Sequence, residues 1–384
     1  MKFCFINNLW GKDSRGGAER VQESIITYLR QIGHEVVVIT TTPDATSVEK
    51  TEEGMTVYRF SSSYSKTVSI WQRFFWHLKE AINPFLYLKV KAIIEKEKVN
   101  VVWTHNLTGF GLMVLKICQS RNIVHIHSLH DIQLLHPSGL LFYGQETLVN
   151  TPWAQAYQQF VRSYLSDNTF VISPSAWLLN LYRQHGFFKK DKTIVLPNPL
   201  SHQPTPSSRQ RPGAPLSFLY VGQIEEHKGI VNLLTAFSNS RNANWRLVVA
   251  GSGRLLEQLQ ARNSDSRVNF VGQQSKEEIR NLMTNADCLV VPSLCYENYP
   301  TVLLEAVQAA LPAIGSNIGG VNEILDDPVL LCEPTVAALE EKMKWVSENY
   351  NSLVHVTEKR YTNLRSISIK GYIEAVLTFV GWKM

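Results

Sequence analysis

The 384-residue chain lacks any run of about 18–20 uninterrupted apolar residues, the length needed to cross a bilayer as a helix. Its opening stretch, MKFCFINNLW, has one lysine and then an apolar run too brief for the core of a secretion signal. It reads as a first β-strand. Cysteines number five (Cys4, Cys118, Cys288, Cys295 and Cys332), an odd, scattered set without a C-x-x-C pair. That pattern argues against a disulfide framework and a structural zinc site, and it predicts a reducing, cytoplasmic setting. No solenoid-length repeat and no low-complexity tail is present. Despite a net charge of +5, the chain has no basic stripe and no recognised nucleic-acid motif, so nucleic acid is not expected as a partner.

A complete dinucleotide fingerprint is missing as well. RLVVAGSGRLLE offers Gly251-x-Gly253 after a strand, but Leu256 stands where the third glycine belongs. No acidic ribose reader follows about 20 residues on, as that motif requires. The glycines therefore read as a tight strand-to-helix turn, and no nicotinamide cofactor is expected.

What is present is a regular alternation. Short β-rich runs such as KFCFIN, EVVVIT, VNVVWTH, IVHIHSL, TFVISP and TIVLPN occupy the first half. LSFLYVG, RLVVAG, VNFVG, CLVVPS and PAIGSN occupy the second. Amphipathic segments, among them AERVQESIITYLRQIG and KGIVNLLTAF, separate them. Apolar runs buried on both faces and alternating with helices imply an α/β protein with parallel sheets. The length suits two domains better than one core. The stretch 201–215, SHQPTPSSRQRPGAP, has no apolar period and reads as a linker. Two Rossmann-like domains, over 1–200 and 216–365, are thus expected to face each other across a cleft at their strand C-termini. A last helix, about 366–384, is expected to pack back on the first domain. Charge is uneven: 21 Lys and Arg against 15 Asp and Glu in residues 1–200, and 17 against 18 thereafter. A basic bias in one half suits an anionic partner there.

Candidate chemistry gathers on the loops after strands. In YENYPTVLLEA, Glu297 lies in a loop and Glu305 inside a helix expected from about Pro300 to Ala310. The helix start is a ready anion site, and a carboxylate can accept two hydroxyl hydrogen bonds. After LSFLYVG, the loop QIEEHKGI brings Gln223 and Lys228 to the same rim, the lysine as a phosphate contact. Gly16-Gly17, before the first helix of WGKDSRGGAERV, would let backbone approach a ligand closely. Four histidines (His125, His127, His130 and His136) crowd one region, but only Asp131 joins them as an acidic ligand, so no metal is expected. His130-Asp131, at a strand end, is the functional pair.

Taken together, GGAERV (16–21), LHDIQLLHPSG (129–139), VISPS (171–175), LPN (196–198), FLYVGQIEEHKGI (218–230) and the block 286–325 resemble the retaining glycosyltransferases of family 4. The block ADCLVVPSLCYENYPTVLLEAVQAALPAIGSNIGGVNEIL carries that family's E-x7-E signature. The resemblance implies the two-domain GT-B fold and transfer of a sugar from a nucleotide-diphosphate donor, UDP- or GDP-linked, to an acceptor hydroxyl. It implies Glu297 at the donor sugar or diphosphate, Glu305 at the ribose hydroxyls, and Lys228 neutralising the diphosphate. Backbone amides near Asn298, Tyr299, Pro300 and Thr301, with the Gly16-Gly17 loop, would complete the cradle. His130 would lie against the donor sugar, and Gln273 would border the base. No metal or cofactor is implied. Many relatives have arginine where this chain has Gln223, which leaves Lys228 as the main cation. The acceptor would be a glycan, polysaccharide or lipid-linked hydroxyl. Residues 71–98, with six Lys and Arg among aromatics, suit peripheral contact with an anionic membrane. A non-catalytic sugar-nucleotide-binding partner and a GT-B epimerase are the alternatives.

Overall fold

The computed structural model describes residues 1–11, 16–42, 48–52, 54–61, 83–117, 123–188, 192–200, 215–364 and 367–382, the side chains of 48–52 and 363 excepted. The expected linker, apart from Pro215, and residues 71–82 of the basic aromatic segment lie outside these residues. The chain divides into two compact units.

The first unit builds β1 (Lys2–Ile6), α1 (Gly17–Gln31), β2 (Glu35–Thr42), β3 (Val48–Glu52), β4 (Met55–Ser61), α2 (Pro84–Glu97), β5 (Val101–Thr104) and β6 (Val124–Ser128). It continues with α3 (Pro152–Arg162), β7 (Phe170–Ser173), α4 (Ala176–Gln184) and β8 (Thr193–Val195). Among the described residues its sheet has the order β3-β4-β2-β1-β5-β6-β7-β8. Every pairing is parallel except β3 with β4, so an antiparallel hairpin edges a parallel sheet. Gly54, at φ +78°, makes that hairpin turn, and neither of its strands is among the runs read from the sequence. α1 buries Val21, Gln22, Ile25, Ile26 and Leu29, a helical stripe that covers the sheet. α2 starts on Pro84, whose missing N–H is no loss in a first turn, while the Asn83 side chain accepts from Leu86 N–H.

The second unit holds β9 (Leu216–Val221), α5 (Ile230–Asn239), β10 (Trp245–Ala250), α6 (Leu256–Arg262), β11 (Val268–Gly272), α7 (Lys276–Asn285), β12 (Cys288–Val291) and α8 (Thr301–Gln308). β13 (Ala313–Ser316), α9 (Val321–Leu325), β14 (Leu331–Cys332), α10 (Val336–Glu348) and α11 (Tyr350–Asn363) complete it. Its strands run in the order β11-β10-β9-β12-β13-β14, all parallel. Fully buried Phe218, Leu219, Leu247, Leu289 and Ile314 form the middle of its core. Both units are Rossmann-like.

Two segments depart from simple chain order. Leu141–Glu146, within the stretch read as first-domain sequence, belongs with the second unit. There Phe142 bridges Cys295, Tyr143 N–H donates to Leu294 O at 2.9 Å, and Tyr296 N–H donates to Leu141 O at 2.8 Å. A single backbone bridge has no sequence signature. The last helix, α12 (Ile369–Phe379), belongs with the first unit, where Phe379 meets Phe170 edge to face at 5.2 Å.

Candidate functional site

In the second unit the chain lays down β9, β10 and β11 outward in one direction, then returns to β9's other side for β12. The C-terminal ends of β9 and β12 are therefore the topological switch point, where open parallel sheets bind ligands. Lys228 follows β9 and Glu297 follows β12. Lys228 Nζ donates to Glu297 Oε1 at 2.6 Å, and Ser293 Oγ donates to the same oxygen at 2.7 Å. Burial pushes the Glu297 carboxyl up, but the Lys228 ammonium and these hydrogen bonds outweigh it and hold it below its ordinary range. Burial alone would lower Lys228, yet Glu297 holds it raised. Both side chains are thus ionised, with 26% and 15% of their surfaces exposed.

Glycines bring these loops together. Gly229, at φ +71°, ends the turn carrying Lys228, and a Cβ there would stand 1.8 Å from Pro292 O. On the other side, a Cβ on Gly320 would stand 1.6 Å from Asn298 O, and Gly320 N–H donates to Glu297 O at 2.7 Å. The backbone of the Glu297 loop is therefore pinned from both flanks. Gly251 and Gly253 do the same for the loops after β9 and β10, since Cβ atoms there would meet Gly222 O at 1.8 Å and Ile224 O at 2.4 Å. Close loop packing accounts for that pair of glycines.

The remaining expected residues distribute around this rim. Pro300 is the N-cap of α8 and not its first helical residue: its ψ of 117° is extended, and its carbonyl accepts from Leu303 N–H at 3.1 Å. The helix also stops at Gln308, short of the expected end, and Ala310 takes φ +47°. Pro300 makes no side-chain cap hydrogen bond to the start of α8. Asn298 and buried Tyr299 precede it, Thr301 is its first residue, and half-buried Glu305 lies in its second turn. Gln223 is half-buried, its carbonyl accepting from Tyr220 OH at 2.6 Å. Exposed Gln273, after β11, accepts from Ser252 Oγ at 3.4 Å.

Sequence reasoning missed a second cation. Arg254 Nε donates to Glu225 Oε2 at 2.8 Å, and Arg254 N–H to Glu225 Oε1 at 3.0 Å. Between these pairs lies His227, lowered by burial and by the Lys228 charge. The only sequence signal was an arginine after Gly253. Nothing in the spacing foretold its partner.

The first unit has its own switch point, between β1 and β5. Buried Asn7 follows β1 and donates to Gln22 Oε1 at 2.5 Å, while Asn106, after β5, donates to Asp131 Oδ2 at 3.0 Å. His105 Nδ1 lies 2.8 Å from His130 Nε2. Burial raises Asp131 to about 6, against a Gln133 N–H bond that lowers it, with the Glu19 charge adding to the rise. Glu19 belongs to the first turn of α1, where it accepts from Gly16 N–H at 2.9 Å; the structure describes Gly16 and Gly17 but not 12–15. His125 Nε2 and His127 Nδ1 both meet Thr104 Oγ1, at 2.9 and 2.8 Å. Among the described residues no group of three His, Cys, Asp or Glu is placed to hold a metal ion. His136 instead packs edge-on against Trp153 at 5.4 Å.

Comparison with known proteins decides the class. The profile for Glycosyltransferase Family 4 matches residues 15–203, and that for Glycosyl transferases group 1 matches residues 204–363. The chain belongs to this glycosyltransferase family. Glycogen synthase of Mycobacterium tuberculosis is 25% identical to it over 327 residues, 80% of this chain and 76% of that one. The fold of this glycosyltransferase is GT-B. Sucrose-phosphate synthase from Thermosynechococcus elongatus superposes with a TM-score of 0.73 at 19% identity, over 98% of this chain and 97% of that one. Anabaena HepE, solved with UDP and glucose, gives 0.70 at 16% identity over 98% of each chain.

Proposed function

We propose that this glycosyltransferase moves a sugar, with retention of configuration, from a UDP- or GDP-linked donor to a hydroxyl of a glycan, polysaccharide or lipid-linked acceptor. The observation that carries this reading is the ionised Lys228–Glu297 pair at the switch point of the second unit. Diphosphate is a dianion-like leaving group whose charge grows as the glycosidic bond breaks, and a fixed ammonium stabilises that growth. Lys228 and the N-terminus of α8 supply the positive potential, so the reading needs no divalent ion. Glu297 holds the ammonium in place and accepts from the donor's hydroxyls, Glu305 takes the ribose hydroxyls, and His130 takes the donor sugar. The bond from the anomeric carbon to the diphosphate breaks, the bond to the acceptor oxygen forms on the same face, and the acceptor proton passes to the leaving phosphate oxygen.

Thermal unfolding with UDP-, GDP-, ADP- and dTDP-sugars tests the reading. A true donor at about 100 times its dissociation constant stabilises by ~2.7 kcal/mol. Binding without turnover in the presence of any acceptor would favour a non-catalytic sugar-nucleotide-binding protein. No binding at all would sink both readings.

One surface favours a lipid-linked acceptor. Phe85 and Leu88 on α2 are 67% and 59% exposed, with Lys89 set over the Phe85 ring at 4.4 Å. Apolar tips among lysines suit an anionic bilayer surface. Flotation with anionic liposomes should retain the protein, and Lys89→Glu with Lys91→Glu should release it.

A further inference from the structure

His105 follows directly on β5 and is fully buried, yet it is an imidazole set among apolar rings. Phe5 and Trp103 lie beside it at centroid distances of 5.8 and 6.0 Å, inclined by only 24° and 16°. Those rings hold its plane. Its Nδ1 stands 2.8 Å from His130 Nε2, with the two imidazoles 17° from parallel and their centroids 5.1 Å apart. Ring faces approach no closer than about 3.5 Å. The nitrogens therefore meet edge to edge, along the N–H and lone-pair directions, as a hydrogen bond between two imidazoles.

Which ring donates follows from the far end of each. His105 Nε2 is buried and has no hydrogen-bond partner among the described residues. A proton there would leave a buried N–H orphaned, the rarest kind of unsatisfied group. A bare Nε2 avoids that, and it requires the proton on Nδ1. His105 then donates and His130 Nε2 accepts. Burial pushes both rings below the ordinary imidazole range, His130 to about 4, so each is neutral near pH 7. A neutral His130 that accepts at Nε2 must carry its own proton on Nδ1. His130 is only half-buried, so this proton lies on the ring with access to a ligand.

We propose that His105 is a positioning residue that fixes His130 as the neutral Nδ1–H tautomer, so that His130 meets its ligand as a hydrogen-bond donor and not as a base. The ligand atom is then an oxygen acceptor, such as a hydroxyl of the donor sugar. What His130 touches rests on the glycosyl-transfer reading. Its tautomer does not.

The test is a long-range proton–nitrogen correlation spectrum of the full chain labelled with 15N-histidine at pH 7.5, with His130 assigned by its loss in His130→Gln. The expected pattern is a protonated Nδ1 and a bare Nε2. His105→Asn, whose amide can donate from the place of Nδ1, keeps that pattern. His105→Phe keeps the ring packing without the donor, and it moves the His130 proton toward Nε2. It also lowers kcat for donor turnover about ten-fold with KM within about two-fold, as losing one aligned hydrogen bond allows. A proton on Nε2 of His130 in the unmodified protein overturns the proposal, as does an unchanged tautomer in His105→Phe. Should His105→Phe fail to fold, the spectrum of the unmodified protein decides alone. Should no donor be turned over, the transfer reading fails while the tautomer is still settled.

Discussion

The two units share a parallel Rossmann-like sheet and a switch point, but they treat charge there in opposite ways. At the β9–β12 switch of the second unit, Lys228 and Glu297 are both ionised, because each supplies the other's counter-charge at 2.6 Å. Along β5 and β6 of the first unit no described side chain plays that part for the imidazoles. His125 and His127 are pushed by burial to about 4 and about 3, and Asp131 is pushed up to about 6. One rim suits a phosphate-bearing, charged ligand. The other offers neutral imidazoles beside one carboxyl, Asp131, which at about 6 still gives up its proton near pH 7. The same topology carries both, so the difference lies in the side chains delivered, Lys228 and Glu297 by loops and His125 and His127 by β6 itself.

The strongest way to break this contrast is to remove one charge. Lys228→Ala should lower donor turnover by at least about 10²-fold, as loss of a charge-stabilising group does. It should also destabilise the second unit by about 2–3 kcal/mol, somewhat under the usual toll for breaking a buried pair because a quarter of Lys228 is exposed. Adding Glu297→Gln should restore part of that stability and none of the activity. Equal stability of the single and double variants in urea would show that the pair is not coupled.

Acid should attack the other unit first. Unfolded imidazoles titrate near 6.5, whereas His125, His127 and His130 stay neutral in the fold down to about 4, 3 and 4. Below pH 6.5 the unfolded chain thus binds protons that the native one refuses. Stability is whole above that pH and falls as pH drops, by up to about 1.4 kcal/mol per unit for each histidine. Asp131 works the other way: between about 6 and 4 the native carboxyl holds a proton the unfolded one releases, which offsets roughly one histidine. Hydrogen exchange should therefore show β5 and β6 losing protection at pH 4.5 while β9 and β12 keep theirs. Unaltered protection of β5 and β6 would mean the imidazoles are not buried neutral.

The smallest effect should come from adding charge to the second rim. Gln223→Arg exchanges a neutral hydrogen bond for a charged one, a gain of about 1 kcal/mol and so roughly a five-fold tighter donor. Titration calorimetry with the donor found by thermal unfolding would measure it. Unchanged affinity would indicate that Arg254 already fills the role.

Legibility in the sequence followed the kind of interaction. CLVVPS and LSFLYVG could be read as buried strands because both faces are apolar, and a continuous apolar run survives without knowledge of its neighbours. The β3–β4 hairpin escaped notice since VEKTE is polar and TVYRFS mixes its periods. Glu297, Lys228 and His130 stood out through their places after strands and through the family resemblance. His105 did not, although it lies in VNVVWTH, because its role depends on β5 pairing with β6 and on what faces the far side of its ring. Gly229 and Gly320 look like ordinary turn glycines until the opposing carbonyls of Pro292 and Asn298 are known.

By itself the sequence determined the two-fold alternation of strands and helices, and the identity of the residues carried on each rim. Those follow from local period and from residue chemistry. Only the tertiary structure decided which of those groups carry charge. Ionisation depends on desolvation and on partners from distant strands, and neither exists until the sheet order has brought β9 beside β12 and β5 beside β6.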